Sequence, residues 1–252
     1  MATKEDGRPR HQQIAAEIRA RVMSGDLVPG TRLPTTQQLM STYDVTNQTV
    51  QRALSVLKDE GFLIGRAGVG VYVRDDSVLA LEPAAYHRPP ADGMPYPWTS
   101  EAEARGRRGA VRILEVATVR PPVEVARLWG ERVSMRRLLF LLDQQPTELA
   151  WIYHPLEIAD GTPLVGRRKI PGGTARVLAD LGLPPVEWAD RVSARLPTTE
   201  ELELLHLPDD VPVLRTFRTV YADGGRPVEV QVLVKGGHRY ELTYRNAYPL
   251  RE

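Results

Sequence analysis

Tyr43-Asp44-Val45-Thr46-Asn47-Gln48-Thr49-Val50-Gln51-Arg52-Ala53-Leu54 is the stretch that decides how the front of this chain folds. Val50, Ala53, Leu54 and Leu57 recur at helical spacing, which predicts a helix from about Asn47 to Glu60 with Gly61 as its stop. Asp44-Val45-Thr46 is long enough only for a turn. Before it, Leu39 and Met40 mark a short helix, Thr36 to Tyr43, capped by Thr35. Further upstream, Ile14, Ala15, Ile18 and Val22 predict a helix over His11–Ser24 that Gly25 ends, and 26–34 is turn chemistry around two apolar anchors. Downstream, Phe62–Ile64 and Val69–Val73 are β-prone runs joined by Gly65-Arg66-Ala67-Gly68, which predicts a hairpin.

Two helices across a short turn, followed by a β-wing, form a plan for reading duplex DNA, because a helix fits the major groove while its neighbour braces it on the backbone. The third helix carries the side chains this requires on the face opposite its apolar stripe: Asn47, Gln48, Gln51 and Arg52, with Thr46 and Thr49 at its N-terminal end. Amides pair bidentately with adenine and Arg with guanine, and free N–H groups at a helix start hold a phosphate. Arg66 in the wing can reach a phosphate or a minor groove, and Gly68 permits close backbone approach. The alternative is a plain solvated helix face.

The whole chain has 252 residues, 42% of them hydrophobic, and a net charge of +1. That excludes disorder and a polybasic or polyacidic protein. The chain has no cysteine, which excludes disulfides, thiolate metal sites and a Cys nucleophile and fits a reducing compartment. Met1 to Arg10 is polar and is not read as a signal peptide. No apolar run approaches the roughly 18 residues of a membrane span. The expected class is a soluble cytoplasmic protein without a membrane partner. Between Met1 and Arg74, ten Lys/Arg face seven Asp/Glu. Pro83, Pro89, Pro90, Pro95 and Pro97 then mark a semi-rigid linker. The division is a DNA-binding domain at 8–76, a linker at 77–97 and a second domain at 98–248.

The second domain alternates strands and helices: strands over Ala110–Val119, Met135–Leu142, Thr147–Tyr153, Val186–Leu196, Val213–Ala222, Pro227–Val234 and Arg239–Ala247, with helices over Val123–Trp129, Thr174–Leu181 and Thr198–Leu205. Glu101–Arg108 reads as a charged loop or helix end. The fold class is α+β around a mostly antiparallel sheet. No acid, base and nucleophile stand at catalytic spacing. The histidines His11, His87, His154, His206 and His238 are scattered without metal-ligand spacing and read as surface or structural residues. No cofactor or metal is expected. Gly172-Gly173-Thr174 before a helix is either an anion-holding turn or a simple tight turn.

Gly25 to Pro34, Tyr43 to Leu54, Glu60-Gly61-Phe62-Leu63 and Gly68 to Val73 resemble the winged helix-turn-helix of the GntR family. The resemblance implies DNA contacts at Thr35, Thr36, Gln37, Thr46, Asn47, Gln48 and Thr49, and at Arg66 and Gly68 in the wing. Thr36, Gln37 and Asn47 depart from the charged residues usual in the family, so an unusual half-site is expected.

The stretch Asp143–Pro163, with Ala175–Gly182, Ser193–Glu201 and Gly225–Val230, resembles the UTRA domain of the HutC subfamily, which is chorismate-lyase-like in fold and serves as a small-molecule sensor. The resemblance implies a homodimer that represses genes until an effector binds. Sugar-phosphate-sensing members carry an Arg-x-Arg whose positions fall here on Leu138 and Phe140. An apolar pair cannot clamp a phosphate, so a less anionic and more apolar effector is expected. Candidate effector residues are Trp151, Tyr153, Gly173, Thr174, Arg191, Ser193, Arg195, Glu229 and Gln231, the members of each strand pair sharing a face by alternation. Trp151 and Tyr153 have an alternative as core or dimer-interface aromatics.

The expected function is a ligand-responsive repressor that grips a palindromic double-stranded operator as a homodimer. The alternatives are a constitutive DNA-binding dimer and a lyase-like enzyme.

Overall fold

The computed structural model describes residues 6–75, 79–81, 96–208, 211–238 and 240–244. The chain divides into two compact units, one built on the first 80 residues and the other on Leu81–Gly237.

In the first unit, α1 (Arg10–Met23), α2 (Thr36–Tyr43) and α3 (Asn47–Asp59) bury the residues that the periodicity selects. Ile14, Ile18, Leu39, Val50, Leu54 and Leu57 form one core, closed by Phe62 and Leu63 below the wing. Tyr43 is buried while Met40 is only half-buried, so the inward face of α2 is turned from the expected Leu39–Met40 pair toward Leu39 and Tyr43. Thr35 and Gln38 form a reciprocal capping box at the start of α2. Asp44 ends α2 in the left-handed region, with φ 50°. Arg19 reaches from α1 to the buried Glu60 at the end of α3 in a two-point ion pair. The wing is β1 (Leu63–Arg66) antiparallel to β2 (Gly70–Val73), with Leu63 opposite Val73. The segment before α2 joins it, because Arg32 bridges Tyr72 and Leu33 N–H donates to the Val71 carbonyl.

Within the stretch read as a linker, β3 (Leu79–Leu81) is a strand, which pairs with a late strand over Tyr240–Leu242; residues 76–78 and 82–95 lie outside the described residues. Helix α4 (Pro97–Ala104) opens where the linker reading ended, with Pro97 in its first turn, and takes in the front half of the charged patch. It buries Trp98 and Ala102 and so belongs to the second unit's packing.

That unit is built on β4 (Gly109–Val119), α5 (Val123–Trp129), β5 (Val133–Leu142), β6 (Gln145–Pro155), α6 (Leu156–Ala159), α7 (Thr174–Asp180), β7 (Glu187–Arg195), α8 (Thr199–Leu205), β8 (Val213–Ala222) and β9 (Arg226–Gly236). A 3-10 turn over Pro163–Val165 and the short α6 carry no clear periodicity and were not read from sequence. The sheet order is β4-β5-β6-β9-β8-β7, every pair antiparallel. The Tyr240–Leu242 strand, β10, is shorter than the expected Arg239–Ala247; residues 239 and 245–252 are not described. The β5–β6 hairpin turns on Asp143 and Gln144, both with positive φ. The Asp143 carboxylate holds the turn by accepting from Arg108 N–H and Arg107 Nε.

Strand alternation sorts side chains into two unlike faces. On one, Met135, Tyr153, Phe217 and Val230 pack with Val125 of α5, and Leu149 and Val234 with Leu205 of α8. On the other, α6, the 3-10 turn and α7 pack Ile158, Leu164 and Leu178 against Val220 at one end, and the rest of the face sets the polar and charged side chains Ser134, Arg136, His154, Arg218 and Glu229 beside the buried apolar Leu138, Phe140 and Ile152. Thr198 and Glu201 form a capping box at α8, and Glu201 also binds Arg195. Thr198→Ala is expected to cost about 1 kcal/mol, read as a lower urea midpoint at unchanged slope.

Candidate nucleic-acid interface and the polar face of the sheet

At the front of the first unit, Thr35, Gln37, Thr46, Asn47, Gln48, Gln51, Arg52, Arg66 and Gly68 are exposed, and Thr36 and Thr49 half-buried. The apolar stripe of α3 is consumed by the core, so its polar side is turned outward. Two contacts order that side. Thr46 caps α3 by accepting from Thr49 N–H at 3.4 Å. Gln51 Nε2 donates to Thr36 Oγ1 at 3.1 Å, tying the start of α2 to the outer face of α3. Arg66 lies over the Tyr72 ring, 4.4 Å from its centroid, which holds the wing's cation at the surface. Between the α2 N-terminus, α3 and the wing lies an open groove of about 620 Å³ bordered by Arg32, Thr35, Thr36, Lys58, Arg66 and Gly68.

In the second unit, one row of the polar face runs Arg136–Ile152–Gln231–Arg218–Asp190 across five strands, and the next contains Ser134, His154 and Glu229. Its charges are matched internally. Arg218 meets Asp190 in a two-point pair at 2.6 and 2.7 Å, both side chains nearly inaccessible. The Tyr244 hydroxyl donates to the same carboxylate, and burial followed by that bond pushes its phenol up to about 12. Lys235 pairs with Glu148. Arg136 turns its guanidinium to the carbonyls of Leu164, Gly166 and Arg168, and burial lowers its basicity.

Glu229 is fully enclosed. Burial pushes its carboxyl up, but hydrogen bonds from His154, Thr174 and Gln231 outweigh this and leave it below its ordinary value. His154 Nε2 is 2.8 Å from Glu229 Oε2, and Gln231 Nε2 donates to Oε1 at 2.5 Å. Beside them, the Ser134 hydroxyl and His154 Nδ1 are buried without a hydrogen-bond partner among the described residues. Tyr96 closes over the row. Its ring lies against Gly173, where a Cβ would come within 2.6 Å of it, and burial raises its phenol strongly. Trp98 meets Phe140 edge-on at 6.0 Å.

Two family profiles match the chain: the bacterial regulatory proteins of the gntR family over residues 10–73, and the UTRA domain over residues 104–241. The chain belongs to the GntR family of bacterial regulators, with a UTRA domain behind its helix-turn-helix. It is 29% identical over 247 residues to an HTH-type transcriptional regulator of Streptomyces coelicolor, covering 94% of this chain and 92% of that one. It is 23% identical to the HTH-type transcriptional repressor NagR of Bacillus subtilis, over 96% of each chain. A crystal structure of a GntR-family transcriptional regulator superposes with a TM-score of 0.58 at 26% identity, covering 96% of this chain and 98% of that one. PhnF of Mycobacterium smegmatis, at 19% identity, shares the fold with a TM-score of 0.58 over 93% of this chain and 100% of that one. This GntR–UTRA chain is thus a DNA-binding transcriptional regulator, and its family is one of regulators rather than enzymes. Among the described residues no helix is long and apolar enough to cross a membrane.

The expected effector residues of the UTRA domain do not come together. Glu229 and Gln231 share the polar face with Thr174 and Gly173, but Trp151, Tyr153, Arg191, Ser193 and Arg195 lie on the opposite face by register. There Tyr153 is buried core and Trp151 packs beside it, the alternative reading of these aromatics. Arg191 pairs with Glu124 of α5, and Arg195 with Glu201. Each strand pair does share a face, as alternation requires, but periodicity along one strand cannot say which face of the next strand it adjoins. The polar-face residues Tyr96, Ser134, Arg136, His154, Asp190 and Arg218 were not singled out as candidates. Alternation within β5 and β8 carried a weak signal for Arg136 and Arg218, whereas Tyr96 sits in a proline-rich stretch with none. Gly172 and Gly173 both have positive φ, and Thr174 turns its hydroxyl to Glu229; the turn thus serves a carboxylate of the chain itself.

Proposed function

We propose that this regulator is a homodimeric repressor that leaves a palindromic operator when an uncharged or weakly cationic small molecule enters the polar face of its UTRA domain. The observation that carries the DNA half is the outward face of α3, where Asn47, Gln48 and Arg52 are exposed together. Side chains of these types read base edges, and a two-fold dimer calls for a two-fold site.

The effector half rests on the Ser134–His154–Glu229 row. Buried polar groups are normally bonded, so unpaired Ser134 and His154 atoms beside an anchored carboxylate favour a ligand bearing hydrogen-bonding groups. Leu138 and Phe140 are buried on this face, and the cations near them are held by Asp190, Glu148 and loop carbonyls. A phosphate would find no uncommitted guanidinium there among the described residues, which favours a ligand other than a sugar phosphate. An effector acts only through its differential affinity for two arrangements of the dimer.

Footprinting on DNA flanking the regulator's own gene tests both halves. A protected palindrome is expected, released by a small-molecule fraction of the host and not by sugar phosphates. Absence of any protected site would sink the operator reading, and release by a sugar phosphate would sink the effector reading. On a randomised operator library, Asn47→Ala and Gln37→Ala are each expected to relax base preference at one position, by about 1–3 kcal/mol per bidentate pair lost. Unchanged selectivity in both would count against α2 and α3 as the DNA-reading pair.

A further inference from the structure

The groove beside the wing carries two cations that none of the expected DNA contacts include. Arg32 lies on the extended segment that joins the wing through the Tyr72 bridge, with Leu33 buried and Arg32 exposed. Lys58 stands on the last turn of α3 and is exposed. Both line the groove of about 620 Å³ together with the wing cation Arg66 and the first residues of α2. Among the described residues no carboxylate pairs with Arg32 or Lys58.

The wing is shaped to admit them. Gly70 has φ 145°, and a Cβ there would lie 2.9 Å from Arg32 Nε, so a side chain at this position would push the guanidinium aside. At Gly65 a Cβ would stand 3.6 Å from Lys58 Nζ, in simple contact, so the bare backbone leaves the ammonium open to the groove. An exposed groove bounded by three cations and a capped helix start has the chemistry of a backbone-phosphate seat.

We propose that Arg32 and Lys58 form a phosphate clamp, gripping the DNA backbone on the wing side of α3 and setting the depth at which that helix lies in the groove. The clamp rests on the DNA-binding reading above and adds residues that fix position without reading sequence. Phosphate contacts act through counterion release, so each one lost lowers the slope of log affinity against log salt by about 0.9.

The test uses the full-length chain and a mixed-sequence duplex of about three helical turns, with affinity measured across a salt series. Arg32→Gln and Lys58→Gln are each expected to lower the slope by about 0.9 per bound domain, with base preference on a randomised library unchanged. Arg32→Lys should restore most of the slope, which a merely structural role for the arginine would not do. Arg21→Gln, an exposed cation on the last turn of α1, serves as the control and should leave the slope alone. Wild-type slopes in both groove variants, or an equal fall in the Arg21 control, would overturn the clamp while leaving DNA binding intact. A wild-type protein that binds no duplex would remove both proposals together. Thermal melting of each variant separates lost folding from lost contact.

Discussion

Asp190→Ala is expected to destabilise the UTRA domain by about 3–5 kcal/mol, the usual cost of leaving one partner of a buried ion pair alone. Arg218 and Asp190 meet through two hydrogen bonds with both side chains almost excluded from solvent. Arg218 lies between Gln231 and Asp190 in the polar row, so its charge has no water to fall back on. The Tyr244 hydroxyl, which donates to the same carboxylate, would lose its acceptor as well. Urea unfolding followed by tryptophan fluorescence reads the effect. The double variant Asp190→Leu with Arg218→Met should recover most of the loss, because two apolar groups of similar volume leave no charge behind. A loss under about 1 kcal/mol in the single variant would mean that the pair is screened by water.

Glu229→Ala should have an effect of similar scale by another route. The carboxylate accepts from His154, Gln231 and Thr174, and each buried donor left without a partner costs about 1–3 kcal/mol. A pH dependence accompanies it. Glu229 is held below its ordinary carboxyl value of 4.5. Its contribution to stability is therefore complete above pH 4.5 and lost as pH falls through the lowered folded value. Glu229→Gln should flatten that acid limb of the unfolding curve while leaving stability above pH 6 less changed than the alanine does. A parallel acid limb in Glu229→Gln and wild type would show that other carboxylates carry it. For the ligand reading, Glu229→Gln should also weaken the melting-temperature rise produced by an effector fraction.

Legibility differed between the two units. In the first, Val50, Ala53, Leu54 and Leu57 repeat at helical spacing, Thr35 and Thr46 stand at the caps, and Gly65–Gly68 separates two short β runs. These are local signals, set by dihedral preference and by the period of one helix. The outward set Asn47, Gln48, Gln51 and Arg52 followed directly, since the face opposite a buried stripe must meet solvent or a partner. Arg32 escaped notice because only the extended pairing with β2 brings it to the wing.

In the second unit the strands were legible but their neighbours were not. Trp151 and Glu229 looked like members of one pocket, yet the register of β6 on β9 sets Trp151 opposite Val232 and leaves Glu229 on the other side of the sheet. A single-residue change of register exchanges the faces of a whole strand, so no reading of one strand alone can assemble such a site. His154, scattered among five histidines in the sequence, becomes a partner of Glu229 across 75 positions.

By itself the sequence determined the helices of the DNA-reading unit, the hairpin beyond them, the antiparallel strands of the rear unit and the residues facing outward from α3. All of these follow from spacing and capping within about a dozen residues, where chain connectivity fixes which groups are neighbours. The tertiary structure alone decided which side of the sheet is polar, which charges neutralise one another there, and which cations border the groove by the wing. Those depend on contacts between segments far apart in the chain, and such contacts exist only once strand register and helix docking have been set by burial of the shared core.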